Sequence, residues 1–246
     1  MLKLDLCVHF CLVELNSITL RPMDRIYGPG LMTNQEKPFL ENDKVILFGS
    51  QSESLNDFYD LAIKLKLDPI CVDNLDKIIL TPKHVSIHYA HLESFHFDLT
   101  AVISIISPEA RFQALNHALE LGFTHFPPFV DPNSDITNSA EVGEGAFINS
   151  SAIVGSNVVI SNYVTINRGA NIGHDVEIGE FTHIAPSSCI LGSVKIGKKV
   201  TIGANSTILP KLKIGDGAFI GAGSVVTRDV LPDQIVCGNP AKKLIK

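Results

Sequence analysis

Residues 171–190 read NIGHDVEIGEFTHIAPSSCI, with isoleucine at 172, 178, 184 and 190. The six-residue step extends in both directions without interruption. It runs Ile136, Val142, Ile148, Val154, Ile160, Ile166, Ile172, Ile178, Ile184, Ile190, Ile196, Ile202, Ile208, Ile214, Ile220 and Val226. A period of six fits neither a 3.6-residue helix nor a continuing two-residue strand alternation. It fits a short strand, a turn and another short strand, coiled repeatedly into a parallel β-helix. Each aliphatic then points at the coil axis and stacks on its equivalent in the next coil, a buried pleated position that suits β-branched side chains. Burying one such side chain contributes roughly 1.5–3 kcal/mol.

Two further columns keep the same phase. The residue after each aliphatic is often glycine or asparagine (Gly143, Asn149, Gly155, Asn167, Gly173, Gly179, Gly197, Gly203, Gly215, Gly221). These are read as the turn positions, where left-handed backbone angles are needed. The residue four after each aliphatic is mostly small or valine, as at Ala146, Ala152, Val158, Val164, Ala170 and Val176.

The repeat occupies only the second half of a 246-residue chain, so three segments are expected: an unassigned extension over 1–42, an α/β unit over 43–130 and the β-helix over 131–246. In the middle segment, Lys44–Gly49, Pro69–Asp73 and Leu99–Ser107 read as strands. Leu55–Leu65 and a segment from Pro108 to Leu121 read as helices. Proline suits a first helical position, and Gly122 suits the stop. The result is a βαβ unit with parallel strands.

The formal charge of −6 argues against nucleic acid or an anionic membrane as partner. No apolar run is long enough to span a bilayer. Residues 6–15 are interrupted by His9 and Glu14 and make a poor signal peptide. The five scattered cysteines lack metal-ligand spacing and suit a reducing compartment, so a cytoplasmic protein is expected. His84, His88, His91 and His96 lie close together in sequence, but nothing fixes their geometry, and no metal is expected.

In βαβ units ligands bind beyond the carboxyl ends of the strands. Here those ends offer Gly49, Ser50, Gln51 and Ser52 after the first strand and Asp73 after the second. A phosphate meeting the start of the helix and an ordinary polar loop are both open for the first group. For Asp73, hydrogen bonding to a ribose or base and a plain turn aspartate are both open.

On the repeat, two histidines stand out. His174 falls two residues after Ile172, at a turn, and Asp175 follows it. A histidine beside a carboxylate suits a general base. His183 precedes inward-facing Ile184 and should point outward. From spacing alone, each also reads as a solvated surface histidine. Charge is also divided along the repeat. Residues 131–190 hold seven acids and one base, whereas 191–246 hold three acids and nine bases. The basic end suits a phosphorylated ligand such as coenzyme A, or it protects exposed strand ends.

The stretches Asn171–Gly179, Thr182–Pro186 and Val236–Lys242, set within the hexapeptide column, resemble the sialic acid O-acetyltransferase family, which includes N-acetyltransferases of nucleotide-linked 4-amino sugars. The resemblance implies a left-handed β-helix of eighteen residues per coil, a homotrimer, and acetyl-CoA between neighbouring helices. It places the catalytic base on His174 and its supporting carboxylate on Asp175. It puts acetyl-CoA contacts on His183, Gly203, Gly221, Gly238, Pro240 and Lys242. It implies acetyl transfer to an amino sugar, a nucleotide-linked 4-amino sugar being the first expectation and O-acetylation of a sialic-acid-like sugar the second. A zinc hydratase or a non-catalytic solenoid scaffold are the readings from other classes. The chain departs from the family pattern at Gly49–Glu53, at Ile106-Ser107-Pro108 and at Asp131-Pro132.

Overall fold

The computed structural model describes residues 43–74 and 85–244; the extension over 1–42, and His84 of the histidine group, lie outside the described residues. The repeat forms a left-handed parallel β-helix. Each coil contributes three two-residue strands, and residues eighteen apart are paired in parallel, as Thr165 with His183 and His183 with Thr201. Three sheets result, which form the faces of a triangular prism. The first face carries Phe129, Phe147, Thr165, His183, Thr201 and Phe219 at its outward positions. The second carries Asp135, Ile153, Asn171, Cys189, Thr207 and Val225. The third carries Glu141, Val159, Glu177, Lys195 and Lys213.

The isoleucine column is the core. From Ile148 onward every member of it is buried, and the small residues four places on, such as Ala146, Val158 and Val176, fill the corners of the same cluster. Ile136 and Val142, at the first coil, are partly buried.

The turn column is shifted from the sequence reading. Left-handed angles fall three residues after each aliphatic, not one: Gly145, Ser151, Asn157, Tyr163, Gly169, Asp175 and Phe181 all have φ between 56° and 64°. The glycines one residue after the aliphatic serve close approach between coils instead. A Cβ on Gly173 would stand 2.9 Å from Gly192 N, and one on Gly203 would stand 2.5 Å from Ala222 N. Small size, not backbone freedom, selects glycine there.

The front unit is a four-stranded parallel sheet. Its elements are β1 (Lys44–Phe48), α1 (Leu55–Lys64), β2 (Asp68–Asp73), β3 (Ser86–His88), β4 (Thr100–Ile103) and α2 (Pro108–Leu121), with strand order β3-β2-β1-β4. Pro108 opens α2 and Gly122 closes it with φ 108°, as the sequence signals require. Two features depart from the expectation. Strand β3 adds to β2, and β4 ends at Ile103. Beyond Ile103 the chain leaves the sheet, with Ser104 donating from both its backbone N–H and its hydroxyl to the Phe48 carbonyl at 2.9 and 3.0 Å.

The front unit packs on the first coils of the first face. Phe58 of α1 stacks on Phe147 at 4.0 Å between ring centroids, and Phe112 of α2 meets Phe181 edge-on at 5.3 Å. Ion pairs add to the contact: Asp57 with Arg168, Lys64 with Asp131 at 2.5 Å, and Glu109 with Lys199 at 2.9 Å. Asp131 is buried and also accepts the Asn133 N–H at 2.8 Å, so the aspartate at the start of the β-helix fixes α1 to the first coil.

Candidate active site

His174 and Asp175 occupy the corner between the second and third faces. Asp175 adopts the left-handed conformation at φ 58°, which turns its carboxylate back towards its neighbour. His174 Nδ1 and Asp175 Oδ2 are 2.7 Å apart. A carboxylate only accepts, so Nδ1 carries the hydrogen and Nε2 keeps a free lone pair. One coil earlier, the Asn157 side-chain amide donates to Asp175 Oδ1 at 3.1 Å. The hydrogen bond to His174, and then that from Asn157, hold the Asp175 carboxyl below the usual carboxylate range. One coil later stands Gly192, where a Cβ would lie 2.6 Å from His174 Nε2. The imidazole therefore lies across the glycine, in a chain Asn157–Asp175–His174 that ends in an exposed basic nitrogen.

Two open grooves flank this corner. One, of about 430 Å³, runs along the second face and is lined by Asn171, His174, Cys189, Leu191, Pro210 and Lys211 among others. The other, of about 380 Å³, runs along the third face past Asn157, Val159, Asp175 and Glu177.

His183 is not in either groove. It projects from the first face, as expected, but it is partly buried beside the front unit rather than solvated. Its Nδ1 is 2.8 Å from Thr165 Oγ1. Burial, and next the Arg111 guanidinium, push its pKa down to about 4. In a triangular prism the corner holding His174 lies opposite the face holding His183. The fold thus separates the two histidines within one chain.

Gly203 and Gly221 stack one coil apart at the corner between the first and second faces, where Gly221 N donates to Val236 O at 2.8 Å. Gly238, Pro240 and Lys242 form the turn and return strand of a terminal hairpin. Ile235–Cys237 pairs antiparallel with Lys242–Lys243, and Ala241 N donates to Val225 O at 2.8 Å, tying the turn to the last coil. Of the basic residues near this end, Lys195 and Lys198 are paired with Glu177 and Glu180 at 2.7 and 2.8 Å.

At the front unit, the structure gathers Gly49, Ser50, Gln51, Ser52 and Asp73 at the carboxyl ends of β1 and β2. The Gly49 and Ser50 amides both donate to Val72 O, at 2.9 and 3.0 Å, and the Ser52 amide to Gly49 O at 3.1 Å. The loop is therefore stitched by its own backbone. The Gln51 amide bonds buried Asp73. The Ser52 and Ser54 hydroxyls are 2.6 Å apart, and Ser54 donates to Ser104 O at 3.0 Å. The Ser50 hydroxyl is buried without a hydrogen-bond partner.

The sequence reading missed Asn157 and Arg111. Asn157 sits eighteen residues before Asp175, and that offset is the signal that finds it once the coil length is known. Arg111 occupies the first place of the apolar stripe Arg111, Ala114, Leu115 and Ala118 of α2, all of them buried. A charge at a stripe position was the visible sign. Among the described residues no group of three or more His, Cys, Asp and Glu is arranged to hold a metal ion. Among them no helix is long and apolar enough to cross a membrane.

Repeat and fold define the architecture: a hexapeptide-repeat β-helix preceded by a parallel α/β unit. Residues 193–228 match the family model "Bacterial transferase hexapeptide (six repeats)". No curated protein sequence is significantly similar to the chain. Among solved structures, the acetyltransferase domain of PglB from Neisseria gonorrhoeae, in complex with acetyl coenzyme A, is 25% identical. It covers 82% of this chain and 100% of its own, with a TM-score of 0.74. PerB from Caulobacter crescentus, in complex with CoA and GDP-perosamine, is 21% identical and covers 84% of this chain and 99% of its own, at a TM-score of 0.72. WeeI from Acinetobacter baumannii is 22% identical and covers 82% of this chain and 100% of its own, also at 0.72. The likeness to these last two is one of fold.

Proposed function

We propose that this chain is an acetyl-CoA-dependent acetyltransferase acting on an amino sugar, with a nucleotide-linked 4-amino sugar as the acceptor, in surface glycan synthesis in the cytoplasm. The observation that carries the reading is the Asn157–Asp175–His174 chain, which ends in a basic Nε2 on the outer corner of a β-helix. The PglB acetyltransferase domain, to which the chain is similar, is solved in complex with acetyl coenzyme A. His174 Nε2 takes the proton of the acceptor amine as it adds to the thioester carbonyl. The tetrahedral intermediate then collapses, and the departing sulfur takes that proton from the imidazolium. The products are the N-acetyl sugar and coenzyme A. Asp175 orients the ring and stabilises its cationic form. Residues 131–246 supply the donor site, with Gly203, Gly221, Gly238, Pro240 and Lys242 contacting the coenzyme. Residues 43–130 supply the acceptor site through Gly49, Ser50, Gln51, Ser52 and Asp73.

The working particle is a homotrimer in this reading. His174 and His183 lie on opposite sides of one prism, so a site using both is made where the corner of one copy meets the first face of the next. The open grooves beside His174 support this, since a neighbouring copy would supply the missing wall.

The test is direct. The full chain is incubated with acetyl-CoA and a panel of nucleotide-linked amino sugars, with sialic-acid-like hydroxyl acceptors alongside. Acetylated amine and free coenzyme A are measured by mass spectrometry. Transfer to an amine supports the reading, transfer only to a hydroxyl replaces the acceptor class, and no binding of coenzyme A sinks it. Sedimentation that finds only monomer at micromolar concentration removes the intersubunit site.

A further inference from the structure

Arg111 is the largest side chain fully buried in the described residues, and its partners are unusual. It is 1% exposed, and its guanidinium donates to backbone carbonyls and one hydroxyl. Nη1 donates to Ile105 O at 3.2 Å, Ile106 O at 2.5 Å and Thr165 Oγ1 at 3.3 Å. Nη2 donates to Phe181 O at 2.6 Å and Thr182 O at 3.2 Å. Two of those carbonyls belong to the residues immediately before His183. One guanidinium thus grips the loop after β4, the turn leading into His183, and the hydroxyl that meets the His183 ring.

The bond from Arg111 favours one direction for the Thr165–His183 hydrogen bond. Arginine only donates, so Thr165 Oγ1 accepts from Nη1. The Thr165 hydroxyl hydrogen then needs an acceptor in a buried place, and His183 Nδ1 stands 2.8 Å away. An accepting Nδ1 in a neutral imidazole leaves the hydrogen on Nε2. The result is the opposite tautomer to His174, whose Nδ1 faces a carboxylate and whose Nε2 is bare.

We propose that Arg111 and Thr165 are positioning residues that hold His183 as the neutral Nε2–H tautomer, so that it donates a hydrogen bond to the acyl carbonyl oxygen and does not serve as a base. No proton is transferred by His183. It stabilises the oxygen as negative charge develops there, in the manner of an oxyanion donor. The depressed pKa of His183 agrees, because burial, and next the Arg111 guanidinium, disfavour the cationic ring. The inference rests on the acetyl-transfer reading for its chemistry, but the tautomer itself is independent of that reading.

The experiment therefore has two readouts. The full chain is labelled with ¹⁵N in its histidine rings, and the His183 signals are identified by their loss in His183→Gln. The expected result in the unmodified protein at neutral pH is the Nε2–H pattern. Thr165→Val, nearly isosteric, should mix the tautomers and lower kcat about tenfold, the order of one lost hydrogen bond, with KM for acetyl-CoA little changed. Thr165→Ser should restore both. A His183 that carries its hydrogen on Nδ1, or is cationic at neutral pH, overturns the proposal. So does a Thr165→Val protein with an unaltered ring pattern. Should the unmodified chain show the Nε2–H pattern yet transfer acetyl to nothing, the donor role falls with the acetyltransferase reading, while the Arg111–Thr165 relay stands. Arg111→Lys serves as a second probe. It keeps the charge and loses the fork, and should also disturb the ring pattern.

Discussion

Asn157 donates its side-chain amide to Asp175 Oδ1 at 3.1 Å from one coil below, leaving Oδ2 to take the His174 hydrogen at 2.7 Å. Both residues have left-handed backbones, at φ 57° and 58°, so the pairing is set by the stacking of equivalent corners. The carboxylate is aimed by the coil repeat before any ligand arrives. Asn157→Ala should leave the fold intact and lower kcat several-fold, of the order of one hydrogen bond to a charged group. Unchanged kcat would show that Asp175 is held well enough without it.

Loss of the base should be far more costly. His174→Ala should lower kcat by roughly 10²–10⁴-fold, the usual range for a general base, with the thermal transition unmoved, since the side chain is exposed. Asp175→Asn should fall between this and Asn157→Ala. Steady-state kinetics on the purified variants check the order, and a His174→Ala protein with near-normal turnover refutes the assignment.

Gly192→Ala offers a test that touches no reactive group. The new methyl would stand 2.6 Å from His174 Nε2, and the ring, being the movable partner, must swing aside. Turnover should drop at least tenfold, because small misplacements of a reacting group are costly. The melting temperature should change little. A variant of full activity would mean that His174 works from another rotamer.

Gln51→Ala removes the side chain that bonds Asp73 at the carboxyl edge of the front sheet. KM for the sugar substrate should rise severalfold while KM for acetyl-CoA is unchanged, as expected for a group that binds one substrate only. Equal changes in both would move the acceptor site away from this loop.

The low pKa of His183 makes a prediction about acid stability. The folded value is about 4, against an ordinary 6.5. Above pH 6.5 the ring is neutral in both states and contributes nothing. As pH falls from 6.5 to 4 the unfolded chain gains a proton that the folded chain refuses, so folding stability declines, by about 3 kcal/mol for a shift of this size, and then levels off. His183→Gln should flatten that decline. Denaturant titrations at pH 7 and pH 4.5 measure it, and identical slopes in both proteins would contradict the shift.

The β-helix was legible because one column, Ile136 to Val226, carries the whole coil, and because the pair His174-Asp175 lies at a fixed offset from it. The glycine column misled for a physical reason. Glycine is selected equally by positive φ and by lack of room, and at Gly173 and Gly203 the second cause operates. Strand β3, with the sequence Ser86-Ile87-His88, was illegible because three residues carry no alternation. Arg111 was passed over because its burial depends on carbonyls at 105, 106, 181 and 182, which only the folded chain assembles. The opposed tautomers of the two histidines have no sequence signature at all.

The stacking of equivalent corners has one more consequence. Ser156–Asn157, His174–Asp175, Gly192–Ser193 and Pro210–Lys211 hold the same station on four successive coils. Meanwhile the front unit is bolted to fixed coils through Asp131, Arg168 and Thr182. The height of His174 above the front-unit loop at Gly49 is therefore quantised. Inserting one eighteen-residue coil between Arg168 and His174 would lift the base by one inter-strand spacing, about 4.8 Å, from Asp131 and Arg168, and would carry Thr182 off Arg111 by the same step. That is close to the length of a sugar ring. The β-helix acts as a ruler with divisions of one coil, and the reach of the enzyme is written in whole turns of its chain.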